Sequence, residues 1–468
     1  MSSQHDLSKF KAATKLIPKP RRALILSTFH FGHGSLIFSL LLFSFPSTWA
    51  ANYDNTTAVD LATGFFTDLA PLLSLFGTEF SKQFMSQAID WVDDFLFAMA
   101  PLGILTIVIG AIRVSGYTTL RALVGKAREP ESVSEIEFLS STSPDVCETW
   151  DKRGVTRKLN NQSINAVLYD DTPGHQDVLD MWEAEFTDQS KTRPYITRRD
   201  PKWNPFTVPE DPEETRLWNL MPPNLTLNAH APIDDHVPIQ FFAALGFVVQ
   251  AGAIVFQAVV VYHLQWLKAG ARVAPWAFPL TCAGELMVCL GTFLCAQAIE
   301  RRTQKVVWIP AERTKLEKKT LKLLWVQQGQ QKKISDSYAI LRDGGKDAVA
   351  GEFRPIWGSY RRGKLRDIGI LNIEVAFGTF FSLCGFLLQL TGLRALHFSA
   401  AMAQVIAILI MTVIRCYVRR GLAKLPEVIP LQNEFELDQV ALLIAGLKSF
   451  RPGPRFFYWK EIDGNKPQ

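Results

Sequence analysis

The sequence predicts a mainly α-helical protein: a polytopic transmembrane bundle of five spans, an N-terminal signal peptide or anchor, and a small mixed α/β cytoplasmic cap. Several stretches of about 20 residues carry almost no charge, and the segments between them are strongly charged. This pattern excludes a purely soluble enzyme and a disordered chain. Only 6 cysteines in 468 residues exclude a disulfide-stapled secreted scaffold. The net charge of +5 gives no reason to expect nucleic-acid binding.

Residues 1–50 are predicted to be a signal peptide or a retained signal anchor. Basic residues precede the apolar run Ser35–Phe45, and small residues follow at Thr48 and Ala50, which is the order of a signal peptide. Residues 23–45 are also just long enough to span a membrane, so an anchor stays open. Both alternatives put the following residues on the outside or lumenal face, in the secretory pathway or at the plasma membrane.

Residues 51–93 are predicted to form an extracytoplasmic amphipathic helical segment. Large apolar residues recur from Leu61 to Trp91 at helical spacing. A helix pair split near Pro71 would lie on the membrane surface or pack against the bundle. Asn55 begins an Asn-Thr-Thr acceptor for N-glycosylation on the same side.

Five transmembrane spans are predicted from the uncharged stretches. Residues 94–113 form a single span, and residues 238–298 and 370–414 each form a transmembrane hairpin. The individual helices of the hairpins are predicted at 238–264, 274–298, 370–391 and 396–414.

The basic residues predict the orientation of these spans. Lys and Arg are retained on the cytoplasmic side because their translocation is costly. Their clusters place segments 114–237, 299–369 and 415–468 in the cytoplasm. Asn161 and Asn224 are glycosylation acceptors in the first of these segments and conflict with the charges. We follow the charges, because such tripeptides often arise by chance.

The first two cytoplasmic segments contain runs of strand length and are expected to pack together as the cap. The runs are Val306–Ile309, Leu321–Val326 and Ser337–Leu341, with a mixed stretch at Val146–Tyr169. Residues 193–225 are rich in Pro and charge and are not expected to be regular.

Glycines at intervals of seven residues are the clearest packing signal within the spans. Seven residues make two helical turns, so each set lies on one face, where small residues let backbones approach closely. The predicted packing residues are Gly103 and Gly110, Gly284 and Gly291, and Gly378, Gly385 and Gly392.

Glu285 is the most costly residue of the predicted spans, because a charge near the bilayer centre costs on the order of 3 kcal/mol. Gln250, Gln257, Gln389 and Gln404 lie in the same or neighbouring spans. One interpretation is a polar path for an ion or solute. The other is interhelical hydrogen bonding, with each bond contributing about 0.6–2 kcal/mol.

Two other candidates favour a structural interpretation. His230, Asp234, Asp235 and His236 are residue types that bind metals, but they lack the helical spacing of a zinc protease and indicate a solvated loop. Cys147 has no nearby His to activate its thiol, so a buried core residue is favoured.

Seven phrases occur in order along most of residues 60–425: Asp68–Leu73, Phe97–Thr106, Ala111–Val114, Ser140–Glu148, Pro222–Leu227, Ala277–Thr281 and Thr391–Ser399. Together they resemble a family of uncharacterised filamentous-fungal integral membrane proteins, some of which carry ankyrin repeats after the membrane region. The resemblance implies a fungal membrane protein and brings no activity or ligand with it. Residues 426–468 are too few for two ankyrin repeats of about 33 residues.

As function, the sequence favours a non-enzymatic scaffold or signalling component. The alternative is a channel or transporter that uses a polar path around Glu285, and a second alternative is an accessory protein of a fungal metabolic pathway. We find no phosphate-binding Gly loop, Gly-x-Ser-x-Gly or Cys-x-x-Cys motif, so no catalytic residue, metal or cofactor is predicted. The expected partners are the lipid bilayer, anionic inner-leaflet lipids bound through residues 299–369, and unidentified proteins, with no nucleic acid.

Overall fold

The protein is described here by a computed structural model, and all of the described residues lie in the compact unit Asp60–Gln468. These residues are 77–159, 164–170, 178–180, 196–199, 224–228, 239–268, 271–310, 321–329, 336–341, 356–362, 368–420 and 426–447, with Leu69, Leu75 and Pro222. This part of the chain is mostly helical, has four helices long and apolar enough to cross a membrane, and contains short strands. The predicted signal or anchor at 1–50 lies outside it.

In the part of the chain that the structure describes, six short helices precede the long ones. They are α1 (Thr78–Met85), α2 (Trp91–Ala98), α3 (Ile104–Ser115), α4 (Thr118–Leu123), α5 (Glu131–Phe138) and α6 (Leu225–Asn228). The structure therefore differs from the prediction of one continuous span at 94–113, because α2 and α3 are separate helices. Pro101 lacks the N–H that a continuous helix needs. Ala100 (φ 50°) and Gly103 (φ 78°) adopt left-handed backbone conformations, which also end a helix.

Four long helices lie where the other four spans were predicted, and each is long and apolar enough to cross a membrane. They are α7 (Ile239–Ala258, continued by a π-helical turn at Val259–His263), α8 (Ala277–Glu300), α9 (Ile368–Ala395) and α10 (Phe398–Val418). Their outward faces carry large exposed apolar side chains such as Phe247, Leu286 and Phe380, as expected of helices that contact lipid. We call these four helices, with α1–α3 packed against them, the bundle.

Contacts between the helices define one end of the bundle. The ring of Phe242 near the start of α7 lies 5.6 Å from that of Tyr417 near the end of α10. Arg301, directly after α8, pairs at 2.9 Å with Glu374 in the first turns of α9. We call this end, where α8 stops, the Glu300 end. The connections α7–α8 and α9–α10 lie at the opposite end.

Helices α8 and α9 form the tightest interface of the bundle. A Cβ added at Gly284 would meet the carbonyl oxygen of Gly385 at 2.8 Å, and one at Gly291 would meet that of Gly378 at 2.8 Å. A Cβ at Gly392 would meet the backbone of Thr281. The five glycines predicted in these two helices therefore form one antiparallel interface, where backbones pack directly.

The other predicted glycine pair does not form such an interface. Gly110 packs against the ring of Phe138 in α5, whereas Gly103 contacts Gly77 and Ser81. Gly103 is the residue before α3 and has a positive φ, so its role is to end the break between α2 and α3.

The connecting segments form antiparallel sheets in the described part of the chain. The strands are β1 (Val146–Asp151), β2 (Gly154–Leu159), β3 (Ile164–Asp170), β4 (Val178–Asp180), β5 (Ile196–Arg199), β6 (Thr303–Pro310), β7 (Leu321–Gln327), β8 (Tyr338–Leu341), β9 (Ile356–Arg361) and β10 (Glu427–Pro430). Their orders are β1-β2, β10-β8-β7-β3-β4 and β5-β6-β9. The predicted strands are confirmed, and β5 adds a strand to a segment predicted to be irregular.

Strands from different segments pair with one another, so the segments fold as one region. β3 pairs with β7, and β5 pairs with β6. The two larger sheets share a core that includes Trp308 and Trp325. The other face of the five-stranded sheet packs on Val440 of helix α11 (Glu436–Leu447). We call β1–β10 together with α5, α6 and α11 the strand region.

Candidate functional site

Four of the five predicted polar residues line one small cavity inside the bundle. They are Gln250 of α7, Glu285 of α8, Gln389 of α9 and Gln404 of α10, so each long helix contributes one. The cavity has room for about one water molecule. Gln257 does not line this cavity but is fully buried one heptad further along α7.

The sequence of α8 separates its packing face from its polar face. Gly284 contacts α9, and Glu285, the next residue, turns its side chain to the cavity. Consecutive residues on a helix do not share a face. A close glycine interface can therefore hold α8 in place while Glu285 points toward α7 and α10.

Glu285 is buried without a basic partner among the described residues. It is 2% exposed, and its carboxyl group faces the side-chain amides of Gln250 and Gln404. Within the described part, neither carboxyl oxygen makes a well-formed hydrogen bond and no ion pair reaches it. A carboxylate in so apolar an environment is costly unless an amide, a proton or a cation compensates for its charge.

The break between α2 and α3 forms another wall of the cavity, because Ala100 and Pro101 line it. The last carbonyl groups of a helix have no partner within the helix. Here the guanidinium of Arg415, from α10, donates hydrogen bonds to the carbonyl oxygens of Leu96, Phe97, Met99 and Ala100, of which the bond to Phe97 is 2.8 Å and that to Ala100 is 3.2 Å.

Arg415 is a residue that the sequence reading missed. It is fully buried and lies 5.5 Å from the ring centroid of Phe97. Because it follows the predicted span at 396–414, Arg415 was expected to lie in the cytoplasmic segment 415–468. α10 continues to Val418, so Arg415 belongs inside the helix. A basic residue one position beyond an uncharged stretch is the only sequence signal, and it fits both interpretations.

Both outer ends of the pair α2–α3 lie at the Glu300 end of the bundle. Asp93, in the first turn of α2, pairs with Arg419 at 2.9 Å just after α10. The Nε of Arg302, just after α8, donates to the carbonyl oxygen of Val114 near the end of α3 at 2.9 Å. The chain therefore runs from this end to the cavity and back to the same end.

This course differs from the prediction that the residues before the first span lie across the membrane from segments 114–237 and 415–468. Asp93 contacts Arg419, and Lys82 lies 3.5 Å from Glu137. Groups in ionic contact lie on the same side of any membrane. For residues 77–93 the difference arises because α2 and α3 return where a single span would cross.

Four of the described basic residues of segment 299–369 form ion pairs within the protein. Each of the four has a carboxylate partner within 3.2 Å, which leaves less charge for anionic lipids than the sequence suggests. The pairs are Arg301–Glu374, Arg302–Glu131, Lys305–Glu300 and Arg361–Glu135. Binding of anionic lipid stays a prediction.

The remaining candidates have structural roles or lie outside the described residues. The Nδ2 of Asn224 donates to the carbonyl oxygen of Ser140 at 3.0 Å, and its Oδ1 accepts from the N–H of Ser359 at 2.8 Å. This buried amide is not available to a glycan. Cys147 is buried in β1. Outside the described part lie Asn55, Asn161 and the cluster His230, Asp234, Asp235 and His236.

Comparison of the chain with models of known families, with curated proteins and with solved structures gave no match. The resemblance to fungal membrane proteins stays a prediction. The functional assignment therefore depends on the geometry of the site.

Proposed function

We propose that the protein is an ion-translocating integral membrane protein in which Glu285 is the ion-binding carboxylate. The observation that supports this most is that Glu285 is 2% exposed in a helix of spanning length, faces amides, and has no basic partner in the described part. Ionisable groups at this depth are rare and typical of ion pathways. The translocated ion would be a proton or an alkali metal cation, since either neutralises a carboxylate.

The break between α2 and α3 supports translocation over a purely structural role. Non-helical backbone is tolerated at membrane depth only where it is buried in protein or lines a cavity. Met99 is 9% exposed and Ala100 is fully buried, and Ala100 and Pro101 line the cavity. Transporters commonly place their ion sites where interrupted helices meet near the middle of the membrane. The scaffold, signalling and metabolic-pathway roles stay predictions.

The proposal includes a topology of four spans and one re-entrant hairpin formed by α2 and α3. With an even number of crossings, the strand region and residues 77–93 lie on the same side, at the Glu300 end. Lys and Arg near the helix ends are concentrated there, which makes that side cytoplasmic. These residues are Arg113, Arg121, Lys126, Arg301, Arg302, Lys305, Arg361, Arg362, Arg419 and Arg420, against Lys268, Arg272 and Arg394 at the opposite end.

The test is ion flux through the purified full chain in liposomes. Proton flux is read from an enclosed pH-sensitive dye, and alkali cation flux from uptake of ²²Na⁺ or ⁸⁶Rb⁺. We expect flux of one of these ions above that of protein-free liposomes. We also expect Glu285→Gln to lower it by about tenfold or more, because a carboxamide neither ionises nor attracts a cation.

Glu374→Gln is the matched control. Glu374 is also a carboxylate in a long helix, but it pairs with Arg301 and does not line the cavity. Its variant should retain wild-type flux. Wild-type liposomes that transport no more than empty ones, or a Glu285→Gln variant with undiminished flux, would contradict the proposal.

A further inference from the structure

We infer that Arg415 makes the Glu285 centre selective for protons over alkali metal cations, because its guanidinium occupies the carbonyl oxygens that a metal ion would use. This inference rests on the proposed function, and it assigns the translocated ion. Its basis is the contact of one buried arginine with the interrupted end of α2.

Backbone carbonyl oxygens lie beside the cavity, where the chain is interrupted between α2 and α3. Carbonyl groups freed where a helix is interrupted coordinate cations in transporters. In this chain four such candidates, the carbonyl oxygens of Leu96, Phe97, Met99 and Ala100, all accept hydrogen bonds from Arg415. The oxygen-rich part of the break is therefore already bound to a cation that belongs to the protein.

The positive charge of Arg415 lies close to the cavity. The Nη2 of Arg415 lies 3.2 Å from the carbonyl oxygen of Ala100, and Ala100 lines the cavity together with Glu285. Arg415 has no carboxylate partner among the described residues, and a guanidinium keeps its charge in proteins. A fixed positive charge opposes entry of any further cation, more strongly where the dielectric constant is low. Selection of a proton over a metal ion therefore depends on the carbonyl oxygens that Arg415 already binds.

The side chains that line the cavity are the groups that remain to bind an ion. The polar side chains in the cavity are one carboxyl group and three amides, from Glu285, Gln250, Gln389 and Gln404. Cys289 also lines it, and its thiol lies within electrostatic reach of both Glu285 and Arg415. A proton needs only the carboxylate as its acceptor, whereas a metal cation needs several oxygens at once. The arrangement therefore fits binding and release of a proton at Glu285.

The first experiment compares ions on the wild-type chain in liposomes. We expect proton flux that depends on Glu285 and is unchanged when choline outside and inside is replaced by Na⁺ or K⁺. We also expect no Glu285-dependent uptake of ²²Na⁺ or ⁸⁶Rb⁺. Alkali cation uptake that Glu285→Gln abolishes would overturn the selectivity while leaving the proposed function intact.

The second experiment removes the guanidinium. In Arg415→Ala the four carbonyl oxygens lose their donor and the positive charge is gone, so Na⁺ or K⁺ should compete and slow proton flux by about tenfold. Arg415→Lys keeps the charge and should retain the wild-type insensitivity. If Arg415→Ala shows the same insensitivity as wild type, Arg415 does not set the selectivity.

A third measurement separates failure of this inference from failure of the proposed function. The unfolding temperature is measured in detergent at constant ionic strength, with Na⁺ or K⁺ against N-methylglucamine. A cation that binds the folded state raises that temperature. We expect no rise for wild type and a rise for Arg415→Ala. A rise for wild type would overturn the inference even if no flux of any ion were detected, and absence of all flux would overturn the proposed function. The wild-type comparisons also keep the test valid if Arg415→Ala does not assemble.

Discussion

The strand region pairs its buried charges, whereas in the interior of the bundle Glu285 and Arg415 form no ion pair with another described residue. Glu148 is fully buried in β1, where it accepts hydrogen bonds from Arg157 at 2.8 Å and from the N–H of Thr226 at 2.7 Å. In the bundle, Glu285 faces amides and Arg415 binds only backbone carbonyls among the described residues. Pairing stabilises a fold, and an unpaired carboxylate remains available to an ion. The comparison indicates that the buried charges of the strand region stabilise the fold, whereas those of the bundle serve the proposed function.

The largest expected effect is in the strand region. Arg157→Met should lower the free energy of unfolding by about 3–5 kcal/mol, because it leaves the fully buried carboxylate of Glu148 without its counter-charge. The measurement is thermal unfolding followed by the fluorescence of the neighbouring Trp150. Lys158→Met is the matched control, because Lys158 makes an exposed pair with Asp151 at 3.9 Å, and such pairs contribute about 1 kcal/mol or less. Equal losses in both variants would show that burial of the pair is unimportant.

The bundle should instead depend on close helix packing. Gly291→Ala places a Cβ against the carbonyl oxygen of Gly378 and the backbone of Ser382, so we expect a loss of about 1–3 kcal/mol. Gly252→Ala, on α7, meets nothing within 4 Å and should be neutral or gain up to about 1 kcal/mol from helix propensity. Unfolding temperature and elution volume in size-exclusion chromatography report the difference. If both variants behaved alike, the α8–α9 interface would not limit stability.

The sequence could predict the four long helices and most strands, because hydrophobic runs and strand-length patterns are local. It could not predict the break at Met99–Gly103. Proline and glycine are common in transmembrane helices, so the run Ala-Pro-Leu-Gly within an apolar stretch reads as a continuous span. The outer ends of α2 and α3 contact Arg419 and Arg302 at the Glu300 end, and these partners are over 180 residues away in sequence.

The site was predictable in the same uneven way. Glu285 and the glutamines were found because a polar residue in an apolar run is conspicuous and its cost is known. Their convergence on one cavity depends on how the four long helices are aligned along one another. Local sequence patterns do not determine this alignment. The role of Arg415 could not be predicted, because a basic residue at the end of a span normally marks the cytoplasmic side. Only the position of the α2 carbonyl groups gives it a different role.

Replacing Glu285 should increase the free energy of unfolding, whereas breaking the Arg157–Glu148 pair should decrease it. Glu285→Leu removes a buried polar group and fills the cavity, so we expect a gain of about 0.5–2 kcal/mol in stability together with loss of flux. Glu374→Leu is the control, because it leaves Arg301 without its partner and should give no gain. The unfolding temperature in detergent is the measurement. A destabilised Glu285→Leu variant would mean that the glutamate is a structural hydrogen-bonding group.

The smallest expected effect concerns a buried carboxylate that is paired and still titrates near neutrality. Glu135 in α5 is fully buried, and its Oε2 accepts from Arg361 at 2.8 Å and from the hydroxyl of Ser143 at 3.0 Å. Burial raises the pKa of Glu135 from 4.5 to about 7, although Arg361 and Ser143 oppose the shift. The unfolded chain releases this proton near its ordinary pKa, whereas the folded protein keeps it up to about pH 7.

The pKa of Glu135 is higher in the folded protein than in the unfolded chain, and this order determines how stability depends on pH. Between about pH 4.5 and pH 7 the folded state binds the extra proton, so stability decreases as pH rises and levels off above the folded pKa. The slope from one group is at most about 1.4 kcal/mol per pH unit. Glu135→Gln should flatten this slope in unfolding temperatures measured between pH 5 and pH 8. Glu129→Gln should keep it, because Arg113 lowers the pKa of Glu129 against the effect of burial, and that group loses its stabilisation only at acidic pH. An unchanged slope in Glu135→Gln would mean that the ion pair with Arg361 compensates fully for the burial of Glu135.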